Sequence, residues 1–212
     1  MALVACSAQN IDRVVTVDRA AKRTARTLIV DACAAEVLKA TGQDGIPKPV
    51  AGWSNLAVFI PKSQRVQLVK NNIAALVDSY RGFRLWPEQL AEHAPRSVML
   101  FRGWMMRDLD QAKALTGARV FWSQWDGYLS EGSAGAALKA DCERRGITFG
   151  FVQTSGHASP GDLKRLASAV APKRLIPIHT FEREIFPSIF HNVILVDDEQ
   201  WIVDRSSISA QQ

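Results

Sequence analysis

The sequence predicts an α/β fold with a mostly parallel sheet, and three observations carry that reading. Short apolar runs alternate with helical patterns along all 212 residues, the signature of strand–helix–strand units. One such unit is explicit: an apolar run at 149–152, an amphipathic stretch from Ser159 to Arg174, and a second apolar run ending at His179. The composition, 47% hydrophobic and 22% charged, is that of a globular protein with a sizeable core.

In chain order, strands are expected at 2–6, 26–31, 56–60, 97–102, 118–123, 148–153, 174–178, 192–196 and 200–204. Helices are expected at 10–23, 32–41, 62–79, 87–93, 105–115, 133–145 and 160–171. For 62–79, Val66, Val69, Ile73, Leu76 and Val77 fall on one helical face. Residues 83–86 read as a further short strand. Residues 42–52 hold three glycines and two prolines, the chemistry of a loop. The end reads as a hairpin, Val193–Val196, a turn at 197–199, then Trp201–Val203, followed by a polar tail at 206–212.

The most informative stretch is Thr154-Ser155-Gly156-His157-Ala158-Ser159-Pro160, with Ile176-Pro177-Ile178-His179 following. Each histidine lies just past a strand, at the edge where open α/β sheets place their chemistry. Ser159 is positioned to cap the intervening helix, Pro160 fits its first turn, and Asp162 takes the capping-box position. Leu163, Leu166, Ala167 and Val170 line one face. The positive end of this helix points back at Ser155, Gly156 and His157, which favours a phosphate or another oxyanion. His157 can donate a proton or hydrogen bond to that anion. Two histidines alone do not make a zinc site, which needs three or four ligands.

These motifs resemble the C-terminal segment of metallo-β-lactamase-fold hydrolases of the β-CASP type, a group that includes ribonuclease J-like enzymes. Val4 to Arg13 and Arg26 to Asp31 resemble the opening strand, helix and strand of the β-CASP insert. Ser123-Gln124-Trp125-Asp126-Gly127-Tyr128 resembles one of its later loops. The resemblance spans about residues 2–204. It implies a β-CASP-like domain at 1–147 and, at 148–205, a returning segment of the metallo-β-lactamase αββα core. It implies His179 as a metal ligand, His157 as a general acid on the scissile phosphate, and Ser155 and Gly156 as phosphate-facing neighbours. Two departures stand out. Gln153 replaces a histidine common in ribonuclease J-like members, and the His-x-His-x-Asp-His motif is absent. The four histidines are His93, His157, His179 and His191. The chain is thus expected to be the C-terminal part of a larger zinc enzyme, holding one metal ligand of about seven, too few to bind two zinc ions tightly alone.

Two further loops follow strands at the same edge. Ser7, with Gln9 and Asn10, either caps a helix or faces phosphate. Gln124, with Ser123 and Asp126, occupies the equivalent place after a later strand, where Trp125 and Tyr128 either stack a base or anchor the loop. Arg102, Trp104 and Arg107 combine cation and aromatic ring after another strand. Asp31 ends a strand as well, and His93 and His191 read as structural.

The expected function is a nuclease-like phosphodiesterase portion acting on nucleic acid, RNA rather than DNA. The alternative is a non-catalytic nucleic-acid-binding or specificity module working with a separate metal-binding subunit or as a dimer. A doubly wound nucleotide-binding protein fits less well, because no Gly-x-Gly-x-x-Gly or Walker-type loop occurs. The net charge of +5 permits a phosphate-rich partner. No apolar run approaches 18 residues, so no membrane-spanning helix is expected. Residues 1–6 lack the basic flank of a signal peptide. Three widely spaced cysteines, Cys6, Cys33 and Cys142, read as buried free thiols of a cytoplasmic protein.

Overall fold

The computed structural model describes residues 1–152, 158–178 and 180–197. The chain divides into two compact units, Met1–Thr154 and Ser155–Gln212.

The first unit is a six-stranded, all-parallel sheet formed by β1 (Ala2–Ala5), β2 (Thr27–Val30), β3 (Leu56–Val58), β4 (Ser97–Phe101), β5 (Arg119–Trp122) and β6 (Thr148–Phe151), in the order β3-β2-β4-β1-β5-β6. Parallel strands must be joined by crossovers, and parallel sheets are covered on both faces. Every residue of β4 is accordingly buried.

Side-chain alternation sorts the core into two layers. Leu3, Ile29, Met99, Phe101 and Val120 point to one face. There they meet Leu90 of α5 (Pro87–His93), Leu109 of α6 (Met106–Gln111), and Leu138 and Cys142 of α7 (Ala134–Arg144). Leu28, Val30, Val58, Val98 and Leu100 point to the other. Val14, Val17 and Ala21 of α1 (Ile11–Arg23) and Ala34, Ala35 and Leu38 of α2 (Ala32–Ala40) cover them. The sheet is therefore doubly wound, and the direction of winding reverses at its centre, beside β1 and β4. Short polar residues fix the helix starts. The side chains of Asn10, Asp31 and Ser133 accept from the backbone N–H of Arg13, Ala34 and Ala136 at 3.1, 2.6 and 3.0 Å.

The expected helix at 62–79 is two helices, α3 (Lys62–Lys70) and α4 (Ala74–Ser79). Asn72 sits between them at φ +57°, a left-handed conformation that asparagine tolerates and that ends a helix. Val66, Val69 and Ile73 do not form a buried face; each is exposed. The expected helix at 105–115 is shorter, with a 3-10 turn at Gly103–Met105 ahead of α6 and a left-handed Lys113 soon after it. Residues 83–86 contribute one bridge, Arg84 to Val58. Strand β6 pairs with β5 in this sheet, so the division between units falls after Thr154 rather than at 147.

The second unit contains α8 (Pro160–Val170) and α9 (Phe186–Ile189). Ser159 caps α8 as expected, its hydroxyl oxygen accepting from the Asp162 N–H at 3.1 Å. The runs at 174–178 and 192–196 form a single parallel bridge, Leu175 to Val193, rather than strands. Pro177 removes a backbone donor from the first run. Leu166 and Val170, on the expected apolar face of α8, are exposed. The last expected strand at 200–204, most of the hairpin turn and the polar tail lie outside the described residues.

The cysteines are not all buried. Cys6 and Cys142 are, but Cys33 is exposed near the start of α2. Burial pushes the Cys6 thiol up to about 11, against the pull of Arg13 and Arg102, and it also raises Cys142. Iodoacetamide at pH 8 should therefore modify Cys33 in the native protein and all three thiols only after denaturation. Mass spectrometry after a timed quench checks this. Equal labelling of Cys6 under native conditions would contradict the buried position.

A candidate crevice at the carboxyl edge of the sheet

In an open α/β sheet, neighbouring loops diverge where the winding reverses and leave a crevice past the strand ends. Here that place lies past β1, β4 and β5. An open cavity of about 800 Å³ occupies it. Cys6 and Ser7 follow β1, Arg102, Gly103 and Trp104 follow β4, and Gln124 follows β5; all line the cavity. Tyr128, Ser130 and Ser133 close it from the loop before α7.

Each wall is held in place. Asp31, 2% exposed, ends β2 and uses both carboxylate oxygens: one accepts from the Ala34 N–H at 2.6 Å, the other from Arg102 Nη1 at 2.6 Å. This charge-assisted pair aims the half-exposed Arg102 side chain. Asp31 thus serves as a helix cap and ion-pair partner. Arg13 Nη1 donates to Ser123 Oγ at 2.5 Å, and Ser123 Oγ donates to the Val152 carbonyl at 2.6 Å. That chain of bonds ties α1 to the ends of β5 and β6 and leaves Gln124, the next residue, at the crevice. The loop carrying Tyr128 lies tight on the first turn of α7. A Cβ on Gly135 would fall 2.2 Å from the Tyr128 carbonyl oxygen, and one on Gly127 would fall 2.3 Å from the Trp125 ring. At Gly135, where the obstacle is backbone, only glycine permits the approach. The exposed Trp125 and Tyr128 rings meet edge to face at 5.6 Å.

Of the residues singled out in the sequence, Ser7 and Gln124 come together at this crevice. Ser7 also turns the chain: its hydroxyl oxygen accepts from the Gln9 N–H at 3.2 Å, while Asn10 caps α1. Ser155, Gly156, His157 and His179 lie outside the described residues. His93 ends α5, and His191 is exposed in the second unit. Among the described residues no three His, Cys, Asp or Glu side chains come close enough to hold a metal ion. The described residues therefore do not fit a zinc site.

The crevice offers hydroxyls, a side-chain amide, one held guanidinium and aromatic surface. Its one carboxylate among the described residues, Asp141, is taken up by Arg144 and Arg145 at 2.9 and 3.0 Å. Such a set can offer hydrogen bonds and one positive charge to a polar ligand.

No family model matches the sequence, and no curated protein does. The structure is similar to that of a protein of unknown function from Enterococcus faecalis V583, with a TM-score of 0.60 at 17% identity. The match covers 92% of this chain and 39% of the other, so the chain spans about two-fifths of that protein's length. Fold and crevice together describe a doubly wound α/β protein with an open cavity at its switch point. The likeness to the enterococcal protein is one of fold.

Among the described residues no helix is long and apolar enough to cross a membrane.

Proposed function

We propose that this chain is the C-terminal part of a metallo-β-lactamase-fold hydrolase of the β-CASP type, a nuclease-like phosphodiesterase acting on nucleic acid, RNA rather than DNA. The observation that carries the reading is the crevice. Ser7 and Gln124, two residues expected from the motifs to face substrate, line one cavity with Arg102 and Trp104. In this reading Arg102, Ser7 and Gln124 grip and orient the phosphodiester strand, and Trp104 and Tyr128 offer stacking faces. His157 protonates the leaving oxygen, and Ser155, Gly156 and the start of α8 steady the phosphate. His179 would be one ligand of the zinc ions this reading implies, with the others supplied from outside this sequence, and the metal would supply an activated water there.

Metal analysis tests the division. The purified chain should hold less than one equivalent of zinc and lose it on mild dialysis, because one histidine is a weak site. Elemental analysis after dialysis decides. Two retained zinc ions per chain would overturn the claim that most ligands lie elsewhere.

A further inference from the structure

We propose that the groove between α3 and α6 is a binding track for single-stranded nucleic acid, continuous with the crevice across Arg102 and Trp104. The proposal rests on the nucleic-acid reading above and gives it a second, separate site.

The groove has a volume of about 960 Å³. Lys62, Gln67 and Lys70 of α3 form one wall, and Arg107 and Gln111 of α6 form the other. Arg102 and Trp104 line both this groove and the crevice, so the two are adjacent.

Three features point to a polyanionic strand. The first is α3 itself. It runs for nine residues, of which Leu68 packs against the core, while Lys62, Ser63, Val66, Gln67, Val69 and Lys70 are exposed. The second is charge. Some cations of the unit are paired, as in Lys22–Asp18, Lys39–Glu36 and Arg145–Asp110. Lys62, Lys70 and Arg107 have no ion pair among the described residues. The one carboxylate lining the groove, Asp108, accepts from the Lys62 backbone N–H at 2.8 Å. Lys62 and Lys70 lie ~12 Å apart along the helix axis at 1.5 Å per residue, far enough to meet separate phosphates. The third is the exposed indole of Trp104 beside these cations. A cationic track with an aromatic face is what an unpaired strand requires, because its bases are open to stacking. An acidic peptide would use the charges and leave the indole idle.

The test uses the whole chain with fluorescein-labelled dT12 and rU12, read by anisotropy from 50 to 300 mM salt. The triple variant Lys62→Gln, Lys70→Gln, Arg107→Gln should bind at least tenfold more weakly at 50 mM salt. Its slope of log K against log salt should flatten by about 2, from three lost phosphate contacts at about 0.7 each. Trp104→Ala should lose about fivefold or more with the slope unchanged, and an abasic oligonucleotide should show no such loss. All substituted side chains are exposed, and far-UV circular dichroism with thermal melting verifies the fold. If the wild-type chain binds and the triple variant binds equally well, the track is wrong while the nucleic-acid reading stands. If the wild-type chain binds neither oligonucleotide at 50 mM salt, that reading falls and takes the track with it. If polyglutamate competes as well as dT12 and Trp104→Ala has no effect, the groove takes acidic peptides and the proposal is overturned.

Discussion

If the function proposed above holds, His157→Ala in the complete enzyme should leave zinc content nearly unchanged and lower turnover by about 10²–10⁴-fold, the range for a positioned general acid. His179→Ala should lower zinc content and activity together, because a ligand contributes to both. The difference follows from place in the chain. His157 stands two residues before Ser159 in the sequence, and Ser159 caps α8; the proposed role sets it on the phosphate that such a helix start favours. His179 follows the apolar run 174–178, which in the family resemblance leads to the metals. A substrate with a nitrophenolate leaving group needs little protonation. It should restore much of the activity lost in His157→Ala and little of that lost in His179→Ala. Equal zinc loss in both variants, or rescue of neither, would refute this division of roles.

Removing the guanidinium behind the crevice should be the most damaging single change to its walls. Arg102→Met leaves Asp31, 2% exposed, with a carboxylate oxygen facing no cation. Deleting one partner of a buried pair costs about 3–5 kcal/mol. Because the Arg102 side chain is one-third exposed, water reaches part of the pair and about 2–4 kcal/mol is expected. Asp31→Asn with Arg102→Met should recover a good part of that loss, since an amide keeps an oxygen for the Ala34 N–H without an unpaired charge. Urea denaturation of the three variants gives the coupling energy. If the double variant is no more stable than Arg102→Met, the pair is not what Arg102 contributes.

The strands were legible because parallel strands covered on both faces must be apolar throughout: Leu3, Ile29, Met99 and Val120 are all in the core. Their order was not, since nothing local in Ala2–Ala5 distinguishes a central strand from an edge strand. The apolar spacing of Val66, Val69 and Ile73 misled, because periodicity records a face without recording what covers it. Asn71-Asn72 was the sequence signal of the break. Ser7 and Gln124 were expected at one edge of the sheet because each lies two residues past a strand end, and both line the cavity there. Lys62, Gln67 and Lys70 carry no such local mark, because the groove they line is completed by α6, about forty residues later. Arg102 and Asp31 were each noticed, but only the adjacency of β2 and β4 makes them a pair.

The position of β1 has a consequence for how the protein is made. Of the six strands of this sheet, the one synthesised first lies near the middle, flanked by β4 and β5: Ala2 pairs with Val98 on one side and with Arg119 on the other. On a ribosome adding 5–20 residues per second, β1 waits about 5–20 s for its first neighbour and slightly longer for its second. Through that interval β1 has neither neighbouring strand, while β2 and β3, already adjacent in the final order, can pair. Folding should therefore await the synthesis of β4 rather than follow the chain from its start. Stalled products ending before Ser97 should remain protease-sensitive and bind chaperones, and those extending past Trp122 should begin to resist digestion.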